Sequence, residues 1–371
     1  DQLGLAIGMN SNSKSNQSVA IGYASSAEAP GSNPENPATA VGAGANANGR
    51  GAVALGLSSN ATGENAIALG GGANGGKNKT EATAKNSIAL GFDAKASGVG
   101  ATAIGLEASS TASDAIAMGR SANATGDTSI SLGYNTNSSA TNTVAIGSSV
   151  SATAESAIAL GRSTKASGTS ATAVGPLAVA SGSTAAAFGL QAKAGGQDSL
   201  AIGNNANASG RSSFAGGLNT VASGTGALAL GDTAKANSDR TIAIGPSAIA
   251  NDADSVAVGT RGTTANKGGL AVGVNANATS NAWSNVALGL DINAKSTSGG
   301  AVGVGRESEA TGSNSVAMGK KAKATDSNAV GVGYEAEATK TNTVAMGRKV
   351  YANTAGSVAL GSNATASNTG A

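Results

Sequence analysis

The chain has 371 residues, 56 of them glycine and only 8 aromatic, with 12% charged and neither cysteine nor histidine. Such a composition cannot build a thick core of leucine and phenylalanine, and it leaves no disulfide, thiolate or imidazole metal site and no Ser-His-Asp triad. Lys and Arg number 23 against 21 Asp and Glu, both signs spread along the length, so there is no basic stripe for nucleic acid.

In chain order, a short apolar triplet ending in glycine returns at nearly constant spacing. The first clear copy is Val19-Ala20-Ile21-Gly22. A 20-residue step to Gly42 follows, carrying an insertion around Pro30–Pro37. Ile67-Ala68-Leu69-Gly70 precedes a 21-residue step with the glycine- and lysine-rich stretch 71–79. From Gly91 to Gly273 there are thirteen consecutive steps of 14 residues. Two steps of 16, ending at Gly289 and Gly305, accompany the sole tryptophan, Trp283, which reads as a local packing plug. Four regular steps then lead to Gly361. In all, 25 motif glycines are separated by 24 steps, 20 of them of 14 residues. A fixed period over a whole chain means one structural unit stacked on itself, a solenoid.

Numbering each turn from its motif glycine, apolar residues stand at −3 and −1, a small residue at −2, and alanines typically at +3 and +5. Alternation with period two predicts two strands per turn, each of about five residues. Fourteen residues are too few for a strand–helix crossover, so stacking gives two parallel sheets facing each other. The expected arrangement turns −3 and −1 inward, large side chains against the opposite alanines. With ~4.8 Å per turn, the stack would measure roughly 115 Å.

On that reading −2 faces outward, and it is Ala in 22 of 25 turns, the others being Ser131, Gly303 and Gly331. A face never charged and never large is expected to lie against another copy of the chain. The expected interface residues are Ala20, Ala54, Ala68, Ala89, Ala117, Ala145, Ala159, Ala173, Ala201, Ala229, Ala257, Ala317 and Ala345. Outward position +4 is mostly polar, as at Lys95, Asn123, Lys165 and Glu337. The inserted loops, near 23–38 and 71–85, are where solenoids often bind. They nominate Tyr23, Ser25, Glu28, Glu35, Lys77 and Lys79 for ligand contact. Gly71–Asn78 falls short of a phosphate-binding loop, because Asn78 stands where Ser or Thr is required. Catalysis, cofactors and metals are not expected.

The strings Asn86-Ser87-Ile88-Ala89-Leu90-Gly91 and Asn314-Ser315-Val316-Ala317-Met318-Gly319 resemble the head repeat of YadA-like trimeric autotransporter adhesins. The resemblance covers essentially the whole chain as one head, 1–371. It implies a left-handed parallel β-roll, three copies around a common axis, and display on the outer surface of a Gram-negative bacterium. It implies further that stalk and membrane anchor belong to segments outside this chain. Heads of this family attach to host matrix such as collagen, fibronectin or laminin, and to further copies of themselves. The family's collagen-associated pattern is met most closely by Gln17–Ser25, with Gln17 in place of asparagine. The alternative is an ice-binding solenoid or a purely structural spacer. An ice binder needs a uniform outward threonine array, whereas +4 mixes Lys, Asn, Ser and Glu.

Overall fold

The computed structural model describes residues 3–29, 37–72, 79–264, 267–280, 283–296 and 298–367. Among them are short strands and turns and no helix. The chain divides into two compact units, Asp1–Thr184 and Ala185–Ala371. Within each unit the strands alternate between two parallel sheets, and each strand pairs with the strand one turn on. In the first unit Ile88-Ala89-Leu90 lies beside Thr102-Ala103-Ile104, and Lys95-Ala96 beside Ser109-Ser110. In the second, Leu228-Ala229-Leu230 lies beside Ile242-Ala243-Ile244, and Lys235-Ala236 beside Ile249-Ala250. Each unit is therefore a β-solenoid with the 14-residue turn that the glycine period predicts.

Most strands are shorter than the expected five residues, which Ile130–Tyr134, Val144–Ser148 and Ile158–Arg162 do reach. A typical turn has Ile116–Met118 in the first sheet and Asn123–Ala124 in the second. Corners consume the rest. Each regular turn between Gly91 and Gly273 has two residues in the left-handed region, at +2 and −5, such as Ser121 at φ 55° and Thr128 at φ 55°. The two corners are seven residues apart, so a turn is two similar halves. Asparagine tolerates this conformation better than most residues, which accounts for Asn65, Asn86, Asn142 and Asn314 opening their repeats. The motif glycine is needed for a second reason. Gly133 has φ +124°, and a Cβ there would stand 1.8 Å from the carbonyl oxygen of Gly147 in the next turn.

The interior corrects the expected phase of the alternation. The −2 alanines point inward, and all thirteen expected interface alanines are 0% exposed within their own chain. They meet the small residues at +3 and +5, and those at −4 fill the remaining space. Ala115, Ala117, Ala122 and Ala124 pack this way within one turn. The −3 and −1 side chains stand on the outside, with Ile88, Leu90, Met118 and Ile146 all more than a third exposed. The physical reason is thickness. Sheets joined by such tight corners leave room for a methyl or hydroxymethyl group, and a pair of branched side chains does not fit.

Many small hydroxyl residues in this interior satisfy themselves locally, whereas those of Ser129, Ser199, Thr264, Ser308 and Ser357 are buried without a hydrogen-bond partner. Ser87 and Thr143, at −4, donate to the carbonyls of Ala84 and Ala140, each at 2.7 Å. Ser25 and Ser59, at +3, donate to Gly22 and Gly56 at 3.0 and 3.1 Å. The same bond, from residue i to i−3, closes both halves of the turn. At Ile292, a neighbour gives way: this residue at +3 is matched by Gly303 at −2, where a Cβ would stand 2.9 Å from its Cγ2.

Strand register shows where the extra residues leave the stack. Ser26 pairs with Asn46 but Val19 with Thr39, so the first insertion lies at the corner after the second sheet. Asn60 pairs with Glu81 and Ile67 with Ile88, which places the second at the corner after the first sheet. Both 16-residue turns widen after the second sheet, as Leu270–Val286 and Val286–Val302 pairing shows.

Candidate functional site: an outer apolar ladder and its polar edges

Positions −3 and −1 cover the outer face of the first sheet with mostly apolar side chains, joined in some turns by an apolar residue at +1 and in others by a charged one such as Arg120, Asp232 or Lys320. No charged residue occurs at −3 or −1 in any of the 25 turns. In the first unit the face includes Tyr23, Leu57, Ile88, Leu90, Phe92, Leu106, Met118 and Ile146; in the second, Phe188, Leu190, Ile202, Leu230, Met318 and Met346. Those at −3 and −1 are the residues that the inverted phase had assigned to the core.

Three aromatic residues on the corners, Tyr134, Trp283 and Tyr334, are covered by cations from the turn before. Arg120 stands 4.3 Å from the ring centre of Tyr134, Lys320 5.8 Å from Tyr334, and Lys267 5.0 Å from Trp283. Such pairs shield a ring face while leaving it on the surface. Trp283 is 65% exposed and is no plug. The buried group beside it is Asn285. Its amide donates to the carbonyls of Thr279 and Ala294 at 3.0 and 3.1 Å, and its Oδ1 accepts the Ala301 N–H at 3.0 Å.

The polar edges carry charge ladders of opposite sign on successive turns. Glu64 lies between Arg50 and Lys85, each at 3.3 Å, and the Lys85 hydrogen bond holds its carboxyl below the usual range. Arg240 binds Asp254 through two hydrogen bonds, at 2.5 and 2.9 Å, which likewise depress the Asp254 carboxyl. Glu335 raises the Tyr334 phenol by accepting its hydrogen bond. Asparagine ladders such as Asn46 to Asn60, 2.9 Å, run along the outward +4 row. A shallow groove of about 280 Å³ lies among Asn275, Asn277, Asp291, Ile292, Asn293 and Lys295. The Oδ1 atoms of Asn277 and Asn293 are enclosed there without a protein partner.

The residues nominated for ligand contact are not brought together as one site. Tyr23 is 56% exposed at +1 of the 20-residue turn, at the corner before its second-sheet strand and ahead of the extra residues. Ser25 is corrected to a structural residue, because +3 points inward and its hydroxyl is spent on Gly22. Glu28 pairs with Lys14 at 2.6 Å and accepts a hydrogen bond from Asn12. Lys79 is half-buried at the end of the second insertion. Glu35 and Lys77 lie outside the described residues.

The family model of the YadA head domain repeat (2 copies) matches this chain in sixteen overlapping stretches between residues 4 and 349. The interval 262–296, which holds the first widened turn, Trp283 and Asn285, is unmatched. No curated protein matches the chain.

Proposed function

The chain belongs to the YadA head family, and from that premise we propose that it is the head of a bacterial surface adhesin, displayed as a homotrimer. The observation that carries the reading is the outer apolar ladder. Large apolar side chains stand exposed on turn after turn of each unit, and an apolar surface that recurs in this way marks an interaction site, unlike singly scattered exposed residues. A surface with the same turn spacing covers it best, and a second copy of the chain has that spacing. Association through the ladder leaves the second sheet, its +4 row and the charged corners outward. Three such faces, each repeating every ~4.8 Å, engage a fibrous host ligand of the collagen, fibronectin or laminin class at many weak points. The parent protein would hold this head on the outer membrane of a Gram-negative cell.

The test is a solid-phase screen of the full chain against matrix proteins, together with self-aggregation of beads coated with it. Saturable binding to at least one matrix protein is expected. Binding to none, with no bead aggregation, would contradict adhesion and leave a structural spacer.

A further inference from the structure

The ladder contains two aromatic residues in its −3 and −1 rows, Phe188 and Phe214, and each sits beside the smallest residue of its row. Phe188 at −1 is 38% exposed and shares its triplet with Ala186 at −3. Phe214 at −3 shares its triplet with Gly216 at −1, and its Cζ reaches to 3.1 Å of where a Gly216 Cβ would be. Ala186 and Gly216 are the only residues in the two rows smaller than threonine or valine. The two levels are thus opposite in sense, small–large and then large–small, with Leu200-Ala201-Ile202 between them.

Resting on the self-association read from this ladder, we infer that these two triplets fix the axial register in which copies of the chain meet. Around a shared axis, the −1 row of one copy abuts the −3 row of the next. In register, Phe188 of one copy faces Ala186 of its neighbour, so that bulk meets space. At the second level the space over Gly216 is taken by the same copy's Phe214 and Leu230, and Phe214 marks that level as the one aromatic in the −3 row. A slip by one turn sets Phe188 against the Leu200 or Thr172 level and leaves Ala186 facing nothing that fills it. Everywhere else the rows are near-uniform Val, Ile and Leu, and near-uniform rows tolerate a one-turn slip. An aromatic beside a deletion breaks that degeneracy, as mismatched levels cost packing on both sides.

The absence of native cysteine permits a direct test. Full-length copies carrying Ile244→Cys are co-refolded with copies carrying Ile242→Cys, Leu228→Cys or Val256→Cys, and disulfides are mapped by mass spectrometry. Bridging needs Cα atoms within about 7 Å, so a one-turn slip changes which pair forms. In the native background only 244–242 bridges are expected. With Ala186→Val, Phe188→Ile, Phe214→Val and Gly216→Ile installed, 244–228 and 244–256 bridges are expected as well. Persistence of 244–242 alone in that variant, or slipped bridges in the native chain, overturns the inference. No bridges with the mass of a single chain would instead sink the self-association on which it rests. Should the fourfold variant misfold, Ala186→Phe with Phe188→Ala serves. Those copies are expected to assemble with themselves and to be excluded from native assemblies at least tenfold, and free mixing would overturn the inference.

Discussion

The turns between Gly91 and Gly175 and the two widened turns between Gly273 and Gly305 hold their interiors in different ways. The regular turns use alanine and small hydroxyl residues, with one valine, Val150. The widened turns enclose Ile292 and Asn285 in the same positions, +3 and −4. Asn285 spans the extra corner residues with three hydrogen bonds, where elsewhere one hydroxyl suffices. Ile292 is offset by Gly303 in the next turn. The backbone pairing is unbroken through both kinds of turn. Corners are therefore free to grow, while the interior is limited by volume: a valine such as Val150 is admitted beside ordinary alanines, and the larger Ile292 stands beside a glycine.

The largest effect should come from charging the regular interior. Ala159→Glu buries an unpaired carboxylate among methyl groups, a loss on the scale of ~3–5 kcal/mol. Circular dichroism melts should lose their cooperative transition, whereas Lys165→Glu on the outward row should leave the melt nearly unchanged. A stable, cooperative Ala159→Glu protein would mean that the −2 row faces out after all.

An intermediate effect sharpens the volume argument in the widened turns. Ile292→Ala should cost about 2–5 kcal/mol as a core truncation, and Gly303→Ala about 1–3 kcal/mol by overpacking. Together they recreate a regular turn, so the double variant should be less damaged than the sum by ~1 kcal/mol or more. Strict additivity in denaturant melts would show that the two positions are not coupled. Asn285→Ala should cost about 1–3 kcal/mol, because it strands the Ala301 N–H and two carbonyls.

The smallest effect concerns the outer ion pairs. Glu64 and Asp254 both have depressed carboxyl pKa values, from Lys85 and Arg240 respectively. Their contribution is complete above the ordinary carboxylate range and is lost as pH falls through the lowered values. Glu64→Gln with Asp254→Asn should flatten the acid side of the melting-temperature profile slightly and make it less salt-sensitive. An unchanged acid limb would show these exposed pairs to be energetically silent.

Period, sheet number and turn-to-turn register were legible in the spacing of the glycines, because a repeat cannot keep a constant step without pairing like with like. The phase was not, since alternation says that neighbours face opposite ways and not which way is in. The distinguishing signal lay in variance. Positions −4, −2, +3 and +5 stay small in nearly every turn, while −3 and −1 range from Gly216 to Phe214. In a thin roll the row that never admits bulk is the inside. The left-handed corners were also readable, in Asn at −5 and in Gly100, Gly226 and Gly300 standing in for it. The roles of Trp283 and Asn285 were not, because an insertion removes the positional frame that assigns a residue to a face.

The central claim is that copies meet through the outer −3 and −1 rows and not through the alanines. Light scattering on a variant with Ile88→Lys, Met118→Lys and Ile146→Lys tests it most directly, with circular dichroism as the check on folding. The account predicts that the native chain runs as a trimer and that the variant keeps its β signal but falls to the mass of a single chain. A folded variant with the native assembled mass would contradict it.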